Sequence, residues 1–89
     1  MELNNIPVEV ICLIDDLGKI TPLKIRIREN GETITAKIDE VLYSKESNYA
    51  GFTLFDYGCK VSIHEIDQMI ELRYYVMDHK WKINRTIWR

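Results

Sequence analysis

Leu23-Lys24-Ile25-Arg26-Ile27-Arg28-Glu29-Asn30-Gly31-Glu32-Thr33-Ile34-Thr35-Ala36-Lys37-Ile38 is the stretch that decides the class of the fold. Leu23, Ile25 and Ile27 alternate with Lys24, Arg26 and Arg28. Successive side chains of a strand point to opposite faces, so this pattern reads as a strand with one buried and one wet face. Asn30-Gly31 follows at once. Both central residues of a type I′ turn need positive φ, and Asn-Gly meets that need better than other pairs. Ile34, Ala36 and Ile38 then answer on the inward face, with Thr33, Thr35 and Lys37 outward. The segment is a β-hairpin.

Working outward, the period slips past Ile38, where Val41 and Tyr43 are apolar on the opposite phase. A bulge or bend near Asp39-Glu40 accounts for the slip. Upstream, Val8 to Ile14 reads as a strand with Val8, Val10, Cys12 and Ile14 on one face and Ile11 and Leu13 on the other. Asp15-Asp16-Leu17-Gly18-Lys19 is a turn by composition. Pro7 and Pro22 each open an apolar segment, a position where a strand tolerates proline.

Downstream, Lys45-Glu46-Ser47-Asn48 reads as a polar connection, followed by an aromatic and β-branched run from Phe52 to Ile63. Gly58 interrupts that run and suggests a bend or a close backbone approach. Residues 62–77 carry two patterns. As a helix, Ile63, Ile66, Ile70, Tyr74 and Met77 fall near helical spacing, with Ser62 and Glu65 as a capping box. As strands, a turn at His64 to Asp67 precedes Ile70, Leu72, Tyr74 and Val76 in alternation, and the Tyr-Tyr-Val run favours this reading. Lys80-Trp81-Lys82-Ile83-Asn84 alternates again, before a tail ending in Trp88-Arg89. Five to six short strands joined by tight turns predict a mostly β domain, a small bent antiparallel barrel or sandwich of the SH3-like or OB-like kind. Strand order is open, although hairpin connections would make it a meander.

Eighty-nine residues fit a single domain, 1–89, with a modest core. The chain is 46% hydrophobic and 29% charged, too apolar for disorder and too evenly charged for a membrane protein. Its longest apolar run, Val10 to Ile14, is far short of a membrane helix. Met1-Glu2-Leu3-Asn4-Asn5 lacks the basic and apolar regions of a signal peptide, so a cytoplasmic location is expected. Cys12 and Cys59 sit among apolar residues and read as reduced, small core hydrophobes.

Charge is unevenly spread. Residues 1–72 hold seven basic and thirteen acidic side chains, whereas residues 73–89 hold five basic and one acidic. Such asymmetry marks a binding surface, the solvated face of a last strand, or a basic tail folded against an acidic body.

The set Ile38-Asp39-Glu40-Val41-Leu42, Ala50-Gly51, Tyr57-Gly58-Cys59, Glu71-Leu72-Arg73-Tyr74 and Lys80-Trp81 resembles a group of short bacterial single-domain β proteins with no assigned activity. The resemblance spans Ile6 to Ile83 and rests on packing residues. It implies a stand-alone β domain. Those proteins often carry a cysteine where this chain has His79, so a shared metal or bridge at Cys59 would lack a partner here.

Chemical motifs are sparse. Cys12, Cys59, His64 and His79 match a structural zinc site in number, but not in spacing. Cys59 with His64 or His79 is a conceivable nucleophile pair, though one flanking lysine is little activation. Asp15-Asp16 and Asp39-Glu40 are adjacent pairs whose members diverge in a strand, and Asp15-Asp16 suits a hydrogen-bonded turn. No nucleophile elbow or phosphate loop occurs. The sequence therefore predicts no enzyme, no cofactor and no metal. The expected function is a binding or oligomerisation module with a protein partner or self-association, and Trp88, Tyr75 and Tyr49 supply surface aromatics. The alternative is a barrel that binds single-stranded nucleic acid through Tyr75, Lys80, Trp81, Lys82, Arg85, Trp88 and Arg89. An overall pI of 5.6 weighs against that alternative.

Overall fold

Three two-residue turns set the architecture. Asn30 and Gly31 have φ of 50° and 78°, as the Asn-Gly signal requires. Ala50 and Gly51 (49° and 87°) and His64 and Glu65 (51° and 64°) adopt the same left-handed pair. Between and around these turns run β1 (Ile6–Ile14), β2 (Ile20–Glu29), β3 (Glu32–Tyr49), β4 (Phe52–Ile63), β5 (Ile66–Tyr75) and β6 (Lys80–Trp88). The structure is a computed structural model and describes residues 3–88. Each strand pairs antiparallel with the next, and β6 returns to β1, closing a six-stranded meander barrel. Residues 66–75 form β5, so the strand reading of the ambiguous segment holds and the helix reading falls.

Of the two remaining hairpins, β5–β6 turns at residues 76–79 and β1–β2 turns on Asp15. Its carboxylate accepts from the backbone N–H of Leu17 (2.9 Å) and of Lys19 (2.8 Å). Gly18 takes a φ of 84° there. This is the role composition gave to the Asp-Asp pair.

Inward side chains alternate along the strands except where the register shifts. Ile25, Ile27, Cys59, Val61, Ile70, Leu72 and Ile83 form the sealed centre, and Leu3 closes one end. Leu3 is tied there through its N–H, which donates to the Thr86 hydroxyl at 2.7 Å.

Three expectations need correction, each for a reason of register. First, Lys45-Glu46-Ser47-Asn48 is no connection. β3 runs unbroken to Tyr49 and stays paired with β4, as Lys45↔Asp56 and Asn48↔Thr53 record. Second, Leu23 faces out. The β1–β2 register shifts between Ile11 and Cys12, so Leu23 becomes the extra residue between Pro22 and Lys24. Ile14, beside the turn, is exposed as well. Third, the bulge expected near Asp39-Glu40 is present between Ile38 and Glu40, but a second, unexpected shift follows between Val41 and Tyr43. The first keeps Val41 opposite the inward Cys59, and the second turns Tyr43 outward over Gly58.

Candidate interaction surfaces

The outer face of β3 to β6 is built in cross-strand rows. Tyr43, Gly58, Glu71 and Arg85 make one row. Gly58 belongs there because a Cβ at that position would overlap the Tyr43 ring. The ring crosses the glycine and its hydroxyl donates to Glu71 Oε2. On the other side the β5–β6 register shifts between Glu71 and Leu72, so Asn84 and Arg85 converge on one residue. Asn84 Nδ2 donates to Glu71 Oε1 at 2.8 Å, and Arg85 Nε lies 3.4 Å from the same oxygen. Glu71 is thus on the outer face yet only 2% exposed. Burial alone would raise its pKa, but the hydrogen bonds from Tyr43, Asn84 and Arg85 outweigh it and hold the carboxyl below its ordinary value. Burial, and then the bond to Glu71, pushes the Tyr43 hydroxyl up to about 12.

The adjoining row is Lys45, Asp56, Arg73 and Lys82. Arg73 grips Asp56 in a two-pronged pair, Nε to Oδ1 at 2.8 Å and Nη2 to Oδ2 at 3.1 Å. Asp56 is 1% exposed, so that grip supplies the hydrogen bonds its carboxylate loses on leaving water. The basic C-terminal segment is therefore folded against acidic residues of the body, at Asp56–Arg73 and Glu71–Arg85. Beyond lies a third row, where Tyr75 pairs with Lys80, and Lys82 Nζ sits 5.8 Å from the centre of the Tyr75 ring. At the other end of the face Met69 pairs with Trp88. Among the described residues, Lys45, Lys60, Lys80 and Lys82 form no salt bridge.

Of the C-terminal candidates, Tyr75, Lys80, Lys82, Arg85 and Trp88 share this face. Trp81 does not. It points into the barrel, 9% exposed, with its ring centre 4.7 Å from Tyr74 and 5.7 Å from Tyr57. Arg89 lies outside the described residues.

A second surface was hidden from a strand-by-strand reading. Odd-numbered strands all run toward one end of the barrel, which carries the turns at residues 15–19, 50–51 and 76–79. Among the described residues, Ile11, Leu13, Ile14, Leu17, Leu23, Tyr49, Phe52 and Met77 are exposed at these turns or in the strand halves leading to them. The remaining exposed large hydrophobics, Leu42, Ile66 and Trp88, lie elsewhere. Ile11, Leu13, Ile14, Leu17 and Leu23 gather on the β1–β2 hairpin, and Tyr49, Phe52 and Met77 line one shallow groove at the β3–β4 and β5–β6 turns.

The same end holds an unpaired edge. β1 pairs with β6 only at Ile6, Pro7 and Val8, while Glu9 to Ile14 pair only with β2. The upper half of β3 is also one-sided, paired with β4 alone. That second edge carries two bulges and the charges Lys45 and Glu46, devices that discourage edge-to-edge pairing. Val10-Ile11-Cys12-Leu13-Ile14 carries neither charge nor proline.

The cysteines and histidines do not assemble. Cys59 is fully buried and burial pushes its thiol up to about 12, opposite to the shift a nucleophile needs. His64 and His79 sit in turns at opposite ends of the barrel, the latter with Nδ1 3.2 Å from the Tyr74 hydroxyl. Among the described residues, no three His, Cys, Asp or Glu side chains lie close enough to hold a metal ion. The chain matches no protein-family model, no curated protein and no solved structure.

Proposed function

We propose that this chain is a non-catalytic β-barrel module that self-associates through its apolar end. One observation carries the reading: the exposed aliphatic cluster Ile11, Leu13, Ile14, Leu17 and Leu23 around a single hairpin. Burying these side chains against a second copy would stabilise the assembly by roughly 1.5–3 kcal/mol for each one fully covered. Sedimentation equilibrium across a micromolar concentration series tests it. A dimer of about 21 kDa, twice the 10.6 kDa chain, is expected. A monomer throughout the series contradicts it.

A second reading has its own observation. The outer face of β5 and β6 aligns Lys80, Lys82 and Arg85 with Tyr75 and Trp88, the pairing of cations and rings that single-stranded nucleic acids favour. Its test is the affinity for a labelled single-stranded oligonucleotide at low and high salt. A steep salt dependence that Lys80→Glu abolishes supports it, and an unchanged affinity in that variant removes it.

A further inference from the structure

We propose that the second copy docks edge to edge on β1, so that two barrels share one continuous sheet with Cys12 at the two-fold axis. This inference rests on the self-association reading above and specifies how the copies meet.

The free edge offers alternating N–H and C=O groups over Glu9 to Ile14, the template that strand addition uses. Of the one-sided half-strands around it, β2 at Ile20–Leu23 carries Pro22 and upper β3 carries bulges and charges, so the β1 edge is the unguarded one. Ile11 and Leu13, on the outer face, are 61% and 55% exposed. A two-fold perpendicular to the sheet keeps inward side chains inward, so it must pass beside a single residue. Three positions are available. With the axis at Ile11, Glu9 faces the partner's Leu13. With the axis at Leu13, Ile11 faces the partner's Asp15. Only the axis at Cys12 matches apolar with apolar: Ile11 then faces the partner's Leu13, and Val10 the partner's Ile14.

Charge agrees with the same register. Glu9 is held by two guanidinium groups, Arg26 at 2.8 Å and Arg28 at 3.1 Å, which leaves that cluster one positive charge in excess. The turn Asp15-Asp16-Leu17-Gly18-Lys19 is one negative charge in excess. With the axis at Cys12, Glu9 lies directly opposite the partner's Asp15, a like-charge pair that Arg26 and Arg28 on the Glu9 side have to neutralise, and this contact occurs twice by symmetry. The shared sheet also covers the apolar edge that the monomer leaves to water.

The axis brings two Cys12 Cα atoms to roughly 4.5–5.5 Å, the spacing of directly opposed antiparallel residues. A disulfide spans that distance. Treatment of the full chain with a mild oxidant should therefore yield a covalent dimer that Cys12→Ala abolishes, with buried Cys59 as the silent internal control. Leu13→Lys should weaken association at least tenfold, while Leu42→Lys, an exposed change on β3, leaves it intact. Both sites are exposed, so both variants should fold, and melting of each variant checks this. A stable dimer that does not cross-link through Cys12 and tolerates Leu13→Lys overturns the edge geometry and leaves self-association standing. A chain that is monomeric at every concentration overturns both.

Discussion

Gly58 is where one side chain decides the arrangement of three strands. The Tyr43 ring occupies the space of a Cβ at that position and reaches Glu71 beyond it. Gly58→Ala should therefore displace the ring and cost about 1–3 kcal/mol, the usual effect of overpacking. Chemical denaturation measures it, and in a Tyr43→Ala background the same change should cost far less. The Glu71 carboxyl gives a pH signature to the same row. Its folded pKa lies below the ordinary 4.5, so the native state binds fewer protons there. Its stabilisation is present above that value and fades as pH falls through the lowered folded pKa. Tyr43 has the opposite sign. With a folded pKa of about 12 against an ordinary 10, its contribution is full below pH 10 and fades between 10 and about 12. Glu71→Gln should lower stability at neutral pH by about 1.5–3 kcal/mol, as loss of charge-assisted hydrogen bonds does. It should also flatten the acid limb of a stability profile measured by urea titration at several pH values.

At the scale of elements, the turns divide into a good one and a costly one. Asn30-Gly31 is the pair that the left-handed geometry prefers, and it made the first hairpin legible in the sequence. His64 and Glu65 hold the same geometry with side chains that disfavour it. That mismatch is why residues 62–77 kept a helical reading: Ser62 and Glu65 imitate a cap, and no glycine announces the turn. The double change His64→Asn with Glu65→Gly should stabilise the fold by roughly 1–2 kcal/mol, most of it from Glu65, whose side chain meets the left-handed cost that glycine does not. The melting temperature should rise by roughly 4–8 °C per kcal/mol for a domain of this size. The continuation of β3 through Lys45-Glu46-Ser47-Asn48 escaped notice because polarity there reflects a one-sided edge strand and not a loop. Leu23 escaped because a single extra residue in β2 reverses its face, and alternation alone carries no mark of such a shift.

Across the whole molecule, the core was legible and the surface was not. Ile25, Ile27, Ile70, Leu72 and Ile83 alternate in sequence and are buried in the barrel. The C-terminal basic segment stands out along the chain, but two of its cations, Arg73 and Arg85, are engaged with buried carboxylates of earlier strands. The aliphatic cluster Ile11, Leu13, Ile14, Leu17 and Leu23 lies on one hairpin, but alternation places Ile14 and Leu23 inward, so the pattern does not reveal their exposure. Nor does a sequence state which strand lacks a neighbour. The free half of β1 follows from β6 beginning only at Lys80, which limits its pairing to Ile6, Pro7 and Val8. This edge carries the account of function, and amide hydrogen exchange as a function of protein concentration reads it directly. Alternate amides between Glu9 and Ile14 should gain protection as concentration rises, while those of the central β4–β5 pairing stay constant. Protection in β1 that does not change with concentration would contradict pairing through this edge.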